Sequence, residues 1–99
     1  MLRKIVRYRV HRDKLEKVKE DVSEFVKAVS ENEPQTVYEA YQADDTVSFF
    51  HMMTFPDANA ERSHRVASYT MRFVAALYPN CDEPPAFADL RLIRSSKQC

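Results

Sequence analysis

The chain has 99 residues, 44% of them hydrophobic and 30% charged, with a formal net charge of zero and no glycine. A P-loop, a G-x-G-x-x-G dinucleotide turn and a G-x-S-x-G nucleophile elbow all need glycine for backbone reasons, so all three are excluded. Balanced charge also argues against nucleic acid as a partner. Five tyrosines and six phenylalanines can supply the core of a single domain, expected to span residues 1–99.

The charged residues are unevenly distributed. Eight Lys and Arg residues lie between Arg3 and Lys19, whereas there are none between Lys27 and Arg62. This pattern indicates either solvated basic and acidic edges or a self-complementary contact between two copies of the chain.

The cysteine content and the length of the apolar segments indicate the cellular compartment. Cys81 and Cys99 form no C-x-x-C pair and no disulfide framework, and Cys99 is expected to be frayed. Met1 is not followed by the apolar stretch of a secretory signal, and the longest apolar runs are too short to span a bilayer. A cytoplasmic protein without membrane contact is expected.

The first two elements are predicted to be a strand over residues 2–10 and a helix over residues 13–32. Residue types alternate between the two faces of the strand, and the helix carries apolar residues on one face at helical spacing. Asp13 is the expected N-cap, with Glu16 as its capping-box partner. Asn32 is expected to end the helix through its tolerance of left-handed geometry, and the proline that follows prevents continuation.

A β-hairpin is predicted next, with strands over residues 36–43 and 46–55. Asp44 and Asp45 form its turn, since aspartate tolerates turn geometry when glycine is absent. Pro56 ends the second strand.

One long helix is then predicted from a cap at Asp57 or Asn59 to about Tyr78, followed by a last strand over residues 86–93 and a polar, flexible tail over 95–99. The buried stripe of this helix is predicted at four- and three-residue spacing. Its members are Ala60, His64, Ala67, Met71, Val74 and Tyr78.

The order of elements, β-α-β-β-α-β, predicts an α+β fold of the ferredoxin-like class with an antiparallel sheet. Neither face of the third strand is cleanly polar, so both faces of the sheet should be covered. Two helices can cover one face, and a second copy of the chain is the simplest cover for the other. One face of this strand carries Val47, Phe49, His51, Met53 and Phe55; the other carries Ser48, Phe50 and Met52.

His64 is the first candidate for chemistry. A neutral imidazole in a partly apolar site can act as a general base near neutral pH, and the positive end of the predicted helix would favour the neutral form. A histidine hydrogen-bonded inside an ordinary core is the alternative. If the strand face that carries His51 packs against the helices, His51 would share a cavity with His64. If that face packs against a second chain, His51 would lie in a dimer interface.

The spacing of residues along the sequence indicates no further catalytic group. Nothing in the sequence orients His64 as the acid of a catalytic triad would. No H-x-E, H-E-x-x-H or facial-triad spacing occurs, so no metal site is predicted. Tyr8, Tyr38, Tyr41 and Tyr69 are possible phenol donors or ordinary core residues.

The segment from Phe55 to Phe73 resembles the antibiotic-biosynthesis-monooxygenase family. In that family an aromatic residue, usually Trp, ends the third strand, and a His follows about nine residues later. A second His often comes about five residues further on, and a Phe about four beyond that. Phe55, His64, Tyr69 and Phe73 occupy these positions. The resemblance covers residues 2–93 and implies a dimeric α+β barrel.

The resemblance also implies an activity. The family includes cofactor-free oxygenases of quinols and anthrones, whose deprotonated substrates can themselves reduce O2, so that the protein binds the ring, removes a proton and excludes water. No cofactor is implied, and the ligand is a small aromatic molecule. His64 would be the base with Tyr69 assisting, and the pocket between sheet and helices would be lined by His51, Met53, Phe55 and Phe73.

Departures from the family pattern leave two functions open. Phe55 replaces the usual Trp, Met53 an acidic residue and Tyr69 the second His. The haem-degrading branch uses an Asn in the first strand together with the Trp and the His. The first strand here has no Asn and the protein has no Trp, so haem degradation is not expected. The remaining functions are a cofactor-independent monooxygenase and a non-catalytic ligand-binding or regulatory module.

Overall fold

A computed structural model describes residues 1–97, and it contains one four-stranded antiparallel sheet in the order β2-β3-β1-β4. This is the ferredoxin-like arrangement predicted from the order of elements. The strands are β1 Leu2–Arg9, β2 Val37–Gln42, β3 Ser48–Phe55 and β4 Ala86–Leu90, and the helices are α1 Leu15–Asn32, α2 Ala58–Val66 and α3 Ser68–Leu77. Gln98 and Cys99, part of the predicted tail, lie outside the described residues.

The alternation of buried and exposed residues along β3 shows which face of the sheet packs against the helices. Its buried residues are Phe49, His51, Met53 and Phe55. The register places His51 beside Val6 of β1, which is also buried. His51 therefore faces the helices and not the outer side of the sheet.

The opposite face of the sheet mixes exposed apolar side chains with charged ones, such as that of Arg7, and the described part of the chain does not cover it. Val37 and Tyr41 of β2 are about half exposed, at 54% and 50%. Met52 of β3 and Leu90 of β4 are also exposed. Neither face of β3 is therefore cleanly polar, as predicted from the sequence, and the cover of the outer face by a second chain stays a prediction.

The last strand is shorter than predicted and ends at Leu90. It pairs only with β1, from Arg3 to Arg7, and β1 begins at Leu2. Beyond Arg91, which lies opposite Leu2 in this register, β1 therefore offers no partner. None of the helices within residues 1–97 is long and apolar enough to cross a membrane.

The capping box predicted for the first helix is wrong. Residues 12–14 form a short 3-10 turn, so Asp13 lies inside that turn and Lys14 is the N-cap, without a side-chain hydrogen bond. Asn32 also stays helical. The helix ends at Glu33, whose φ of −132° is non-helical because the proline that follows disfavours helical geometry in the residue before it.

The hairpin turn is centred on Asp44 and Asp45 as predicted, but it extends further. Thr46 adopts a φ of 70°, a left-handed conformation that usually belongs to glycine. The Asp45 carboxylate accepts hydrogen bonds from the backbone N–H groups of Val47 and Ser48, at 3.0 and 2.8 Å. These contacts stabilise the turn, and β3 starts only at Ser48.

The single long helix predicted after Pro56 is divided into α2 and α3. Asp57 caps α2 by accepting a hydrogen bond from the Ala60 N–H at 2.8 Å. Ala67 is extended, with a ψ of 145°, and interrupts the helix. The predicted stripe is therefore wrong beyond the break, where Met71 is 61% exposed. The buried residues of α3 are Thr70, Phe73 and Leu77.

Candidate functional site

A cavity of about 640 Å³ lies between the sheet and the helices. Its volume falls within the range of about 300–1,000 Å³ that is usual for small-molecule sites. The hydrophobic core consists of two clusters, and residues of both line this cavity. The apolar wall includes Val6, Phe25, Met53, Phe55, Phe73, Leu77 and Phe87.

His64 lines this cavity and is held by a carboxylate. Its Nδ1 lies 2.7 Å from Oε2 of Glu33, and the Tyr69 hydroxyl donates to the same oxygen at 2.5 Å. An ionised carboxylate only accepts hydrogen bonds, so Nδ1 is the donor, and in the neutral form of the imidazole Nε2 carries the lone pair. The ring is packed among those of Phe55 and Tyr38, with centroids 5.2 and 5.6 Å away.

The burial of His64 and Glu33 strengthens the arrangement. The side chains of His64 and Glu33 are only 8% and 11% exposed. Oε1 of Glu33 is buried and has no hydrogen-bond partner among residues 1–97, so the carboxylate can accept a further donor. Burial, and secondarily the hydrogen bond to Glu33, raise the pKa of Tyr69 well above its ordinary value. The phenol therefore stays protonated and remains a donor.

Two local features bring these residues together. Pro34 ends α1 and directs Glu33 out of the helix. His64 and Tyr69 are five residues apart, so in a continuous helix they would point about 140° away from each other. The extended Ala67 between α2 and α3 removes that constraint, and both side chains reach one oxygen.

Sequence reasoning missed Glu33 and misjudged the surroundings of His64. The expectation that nothing orients His64 is wrong, because Glu33 does so. The expected helix N-terminus is also wrong, since His64 lies in the last turn of α2. That end of a helix carries the negative pole of the helix dipole, not the positive pole predicted for this position from the sequence. The one available signal was a glutamate directly before a proline at a predicted helix end.

A second set of polar side chains, three residues joined by hydrogen bonds, lies on the sheet side of the cavity. Nε2 of His51 lies 2.8 Å from the Tyr8 hydroxyl, and Nδ1 lies 2.8 Å from the Tyr38 hydroxyl. All three side chains line the cavity. We call this row, Tyr8, His51 and Tyr38, the tyrosine–histidine relay.

Burial fixes the protonation of the relay. Burial lowers the pKa of His51 to about 4, so the imidazole is neutral at neutral pH. Burial is also the main factor that raises the pKa of the Tyr8 and Tyr38 hydroxyls well above the ordinary value. All three groups are therefore uncharged over the physiological range.

The structure brings five of the six sequence-predicted site residues to the cavity wall. These are His51, Met53, Phe55, His64 and Phe73. The sixth, Tyr69, lies beside a smaller hollow on the helix side and is connected to the cavity through Glu33 and His64. The roles given to these residues remain proposals.

Charged groups also line the cavity. Lys4 is paired with Asp89 at 2.8 Å, and Arg65 with Glu61 at 3.7 Å. Thr70 contributes a buried hydroxyl that has no partner in the described part of the chain. Within residues 1–97 no group of three His, Cys, Asp or Glu side chains could hold a metal ion.

Comparisons with known proteins agree on the architecture. An antibiotic biosynthesis monooxygenase superposes with a TM-score of 0.86 at 17% identity, over 95% of this chain and 100% of the other. A Nitrosomonas europaea protein provisionally assigned to the same group gives 0.84 at 18% identity, over 95% and 100%. The chain has the fold of the antibiotic biosynthesis monooxygenases.

A protein from Mycobacterium tuberculosis is also similar, with a TM-score of 0.86 at 14% identity over 97% of this chain and 98% of the other. No protein-family model matches the sequence, and no curated protein shows significant similarity to it. Identities this low establish a shared fold, and the activity must be argued from the site.

Proposed function

We propose that the protein is a cofactor-independent monooxygenase that deprotonates a flat quinol- or anthrone-like aromatic substrate in this cavity. The observation that carries the proposal is the Glu33 carboxylate, which accepts hydrogen bonds from His64 on the cavity wall and from the Tyr69 hydroxyl. A histidine oriented by a carboxylate through Nδ1 has the geometry of a general base acting through Nε2.

Each member of this group has a distinct role. His64 accepts the substrate proton on Nε2, which creates an imidazolium. The Glu33 carboxylate stabilises that cation through the Nδ1–H hydrogen bond. Tyr69 is a positioning residue, because its hydroxyl holds the carboxylate in line.

The cavity suits a substrate that supplies its own reactivity. A deprotonated quinol or anthrone is electron-rich and can transfer an electron to O2 without a protein-bound cofactor. The apolar wall, with Phe25 and Phe73 stacked at a centroid distance of 4.4 Å, favours a flat ring and excludes water. The resemblance around Phe55 and His64 points to the same substrate class.

The test is oxygen uptake with a panel of quinols and anthrones. His64→Gln should lower the rate by about 100-fold or more, the usual contribution of a general base. Glu33→Gln should lower it by at least about tenfold, since a neutral amide stabilises the imidazolium less. Glu31→Gln is the matched control, because Glu31 lies exposed at the same end of α1.

The outcomes separate the two functions. Equal rates in wild type and His64→Gln would remove His64 from the mechanism. Binding of the rings without oxygen uptake would favour the non-catalytic ligand-binding module.

We further propose that the outer face of the sheet forms a homodimer, as the resemblance implies. The exposed side chains of Val37, Tyr41 and Met52 lie on this face, and a second copy would bury them symmetrically. Light scattering at micromolar concentration should give twice the chain mass, and Met52→Lys should shift it towards the monomer. A monomeric wild type would contradict this assembly.

A further inference from the structure

A count of hydrogens in the tyrosine–histidine relay leaves one donor without a protein acceptor. Neutral His51 has one N–H, and the two hydroxyls of Tyr8 and Tyr38 bring the total to three hydrogens. The three groups make two contacts, each at 2.8 Å, and neither hydroxyl has another partner in the part of the chain that the structure describes. In either tautomer of His51, one tyrosine O–H is therefore left over.

This hydrogen belongs to a side chain that lines the cavity. If Nδ1 is protonated, it donates to Tyr38, Tyr8 donates to Nε2, and the Tyr38 hydroxyl is left over. If Nε2 is protonated, the roles exchange and the Tyr8 hydroxyl is left over. In both cases the mostly apolar wall presents one O–H donor on the sheet side of the cavity.

We infer that the tyrosine–histidine relay is a specificity-determining donor that binds a carbonyl or phenolate oxygen of the aromatic ligand. The inference rests on the proposed function and deepens it by naming the second polar contact that the ligand makes. The ligand class is then a flat ring that carries an acceptor oxygen in addition to the group that His64 deprotonates.

The chemistry of an anthrone-like ligand gives this donor a use during the reaction. His64 takes a proton from the ring carbon, and the electron pair of the broken C–H bond moves onto the ring oxygen as an enolate. The relay hydroxyl donates to that oxygen, and the hydrogen bond strengthens as negative charge develops there. No oxidant takes part in this step, and the charge gained by His64 balances the charge gained by the ligand.

The position of the relay fits these two roles, proton removal by His64 and hydrogen-bond donation by the relay. The Tyr38 ring lies between the two histidines, 5.6 Å from His64 and 5.5 Å from His51 by ring centroids. Tyr8 lies on the other side of His51, at 5.1 Å. The base and the relay are thus neighbours along the wall of one cavity.

The experiment compares two stable ligands of nearly the same shape, fluorenone, which has a carbonyl, and fluorene, which has none. Their dissociation constants are measured for the wild type, Tyr8→Phe, Tyr38→Phe and the double variant. The wild type should prefer fluorenone by about tenfold, as one net hydrogen bond gives. The double variant should lose this preference while its fluorene affinity is unchanged. Tyr41→Phe is the control, because Tyr41 lies on β2 but on the outer face.

A second readout does not depend on affinities. The carbonyl stretching frequency of fluorenone bound to the wild type should lie below its value in hydrocarbon, and the double variant should reverse that shift. Fluorene binding without a preference for fluorenone, or a preference retained in the double variant, would overturn the relay but leave the proposed function standing. Binding of neither ring would overturn both.

Discussion

Acidification should destabilise the fold through His51. This imidazole is fully buried and hydrogen-bonded at both nitrogens to Tyr8 and Tyr38. Burial lowers its pKa from the ordinary 6.5 to about 4. The unfolded chain then binds the proton more tightly than the folded chain, so stability falls as the pH drops from 6.5 towards 4.

The magnitude follows from the two pKa values. At pH 7 both states are mainly neutral and the effect is close to zero. At pH 5 the unfolded imidazole is almost fully protonated and the folded one mostly neutral, which costs about 2 kcal/mol of unfolding free energy. Below pH 4 the cost approaches about 3 kcal/mol, or 1.36 kcal/mol per pKa unit.

Urea unfolding at pH 7, 6 and 5 measures this effect against His51→Gln, whose amide can bond both tyrosines and does not titrate. The other two histidines, His11 and His64, are common to both proteins and drop out of the difference. The stability of wild type relative to the variant should fall by about 2 kcal/mol between pH 7 and pH 5. A difference that stays constant over this range would refute the buried, neutral His51.

Two further predictions concern local structure. Asp57→Ala should lower the unfolding free energy by about 1 kcal/mol, because Asp57 caps α2; Asn59→Ala should change it little, and equal losses would contradict the capping assignment. Thr46→Gly should raise the unfolding free energy by about 1 kcal/mol, because glycine adopts the φ of 70° without the steric cost that a β-branched residue carries. The hydrogen bond that this change removes, from Arg12 to the threonine hydroxyl, is exposed and weak. Urea titration measures both effects, and a Thr46→Gly variant less stable than wild type would show that the turn is not strained.

The overall fold follows from patterns that a single sequence contains. Helical spacing along α1 identified its buried face, and the order of elements was enough to predict the sheet. The predicted boundaries of helices and strands were less accurate where local structure overrode the sequence pattern. The 3-10 turn at residues 12–14 displaced Asp13 from its capping position, and β4 stops at Leu90, within one residue of the end of its partner strand.

The site could be predicted only in part. His51 and His64 followed from their strand and helix faces, although which way His51 points needed the sheet register. No glycine or proline marks the interruption at Ala67. The sequence therefore did not predict that the buried face shifts to Thr70, or that His64 and Tyr69 reach the same carboxylate. Glu33 is one of several glutamates near the end of α1, and only the tertiary structure shows that its carboxylate reaches His64.

The central claim is that His64, oriented by Glu33, removes a proton from a ligand in the cavity. Anaerobic mixing with anthrone tests it directly, because the deprotonated ring absorbs at longer wavelength and cannot react further without O2. Wild type and Glu31→Gln should form the anion rapidly. His64→Gln should form it no faster than buffer, and Glu33→Gln should be intermediate. Equal formation of the anion by wild type and His64→Gln would contradict the account.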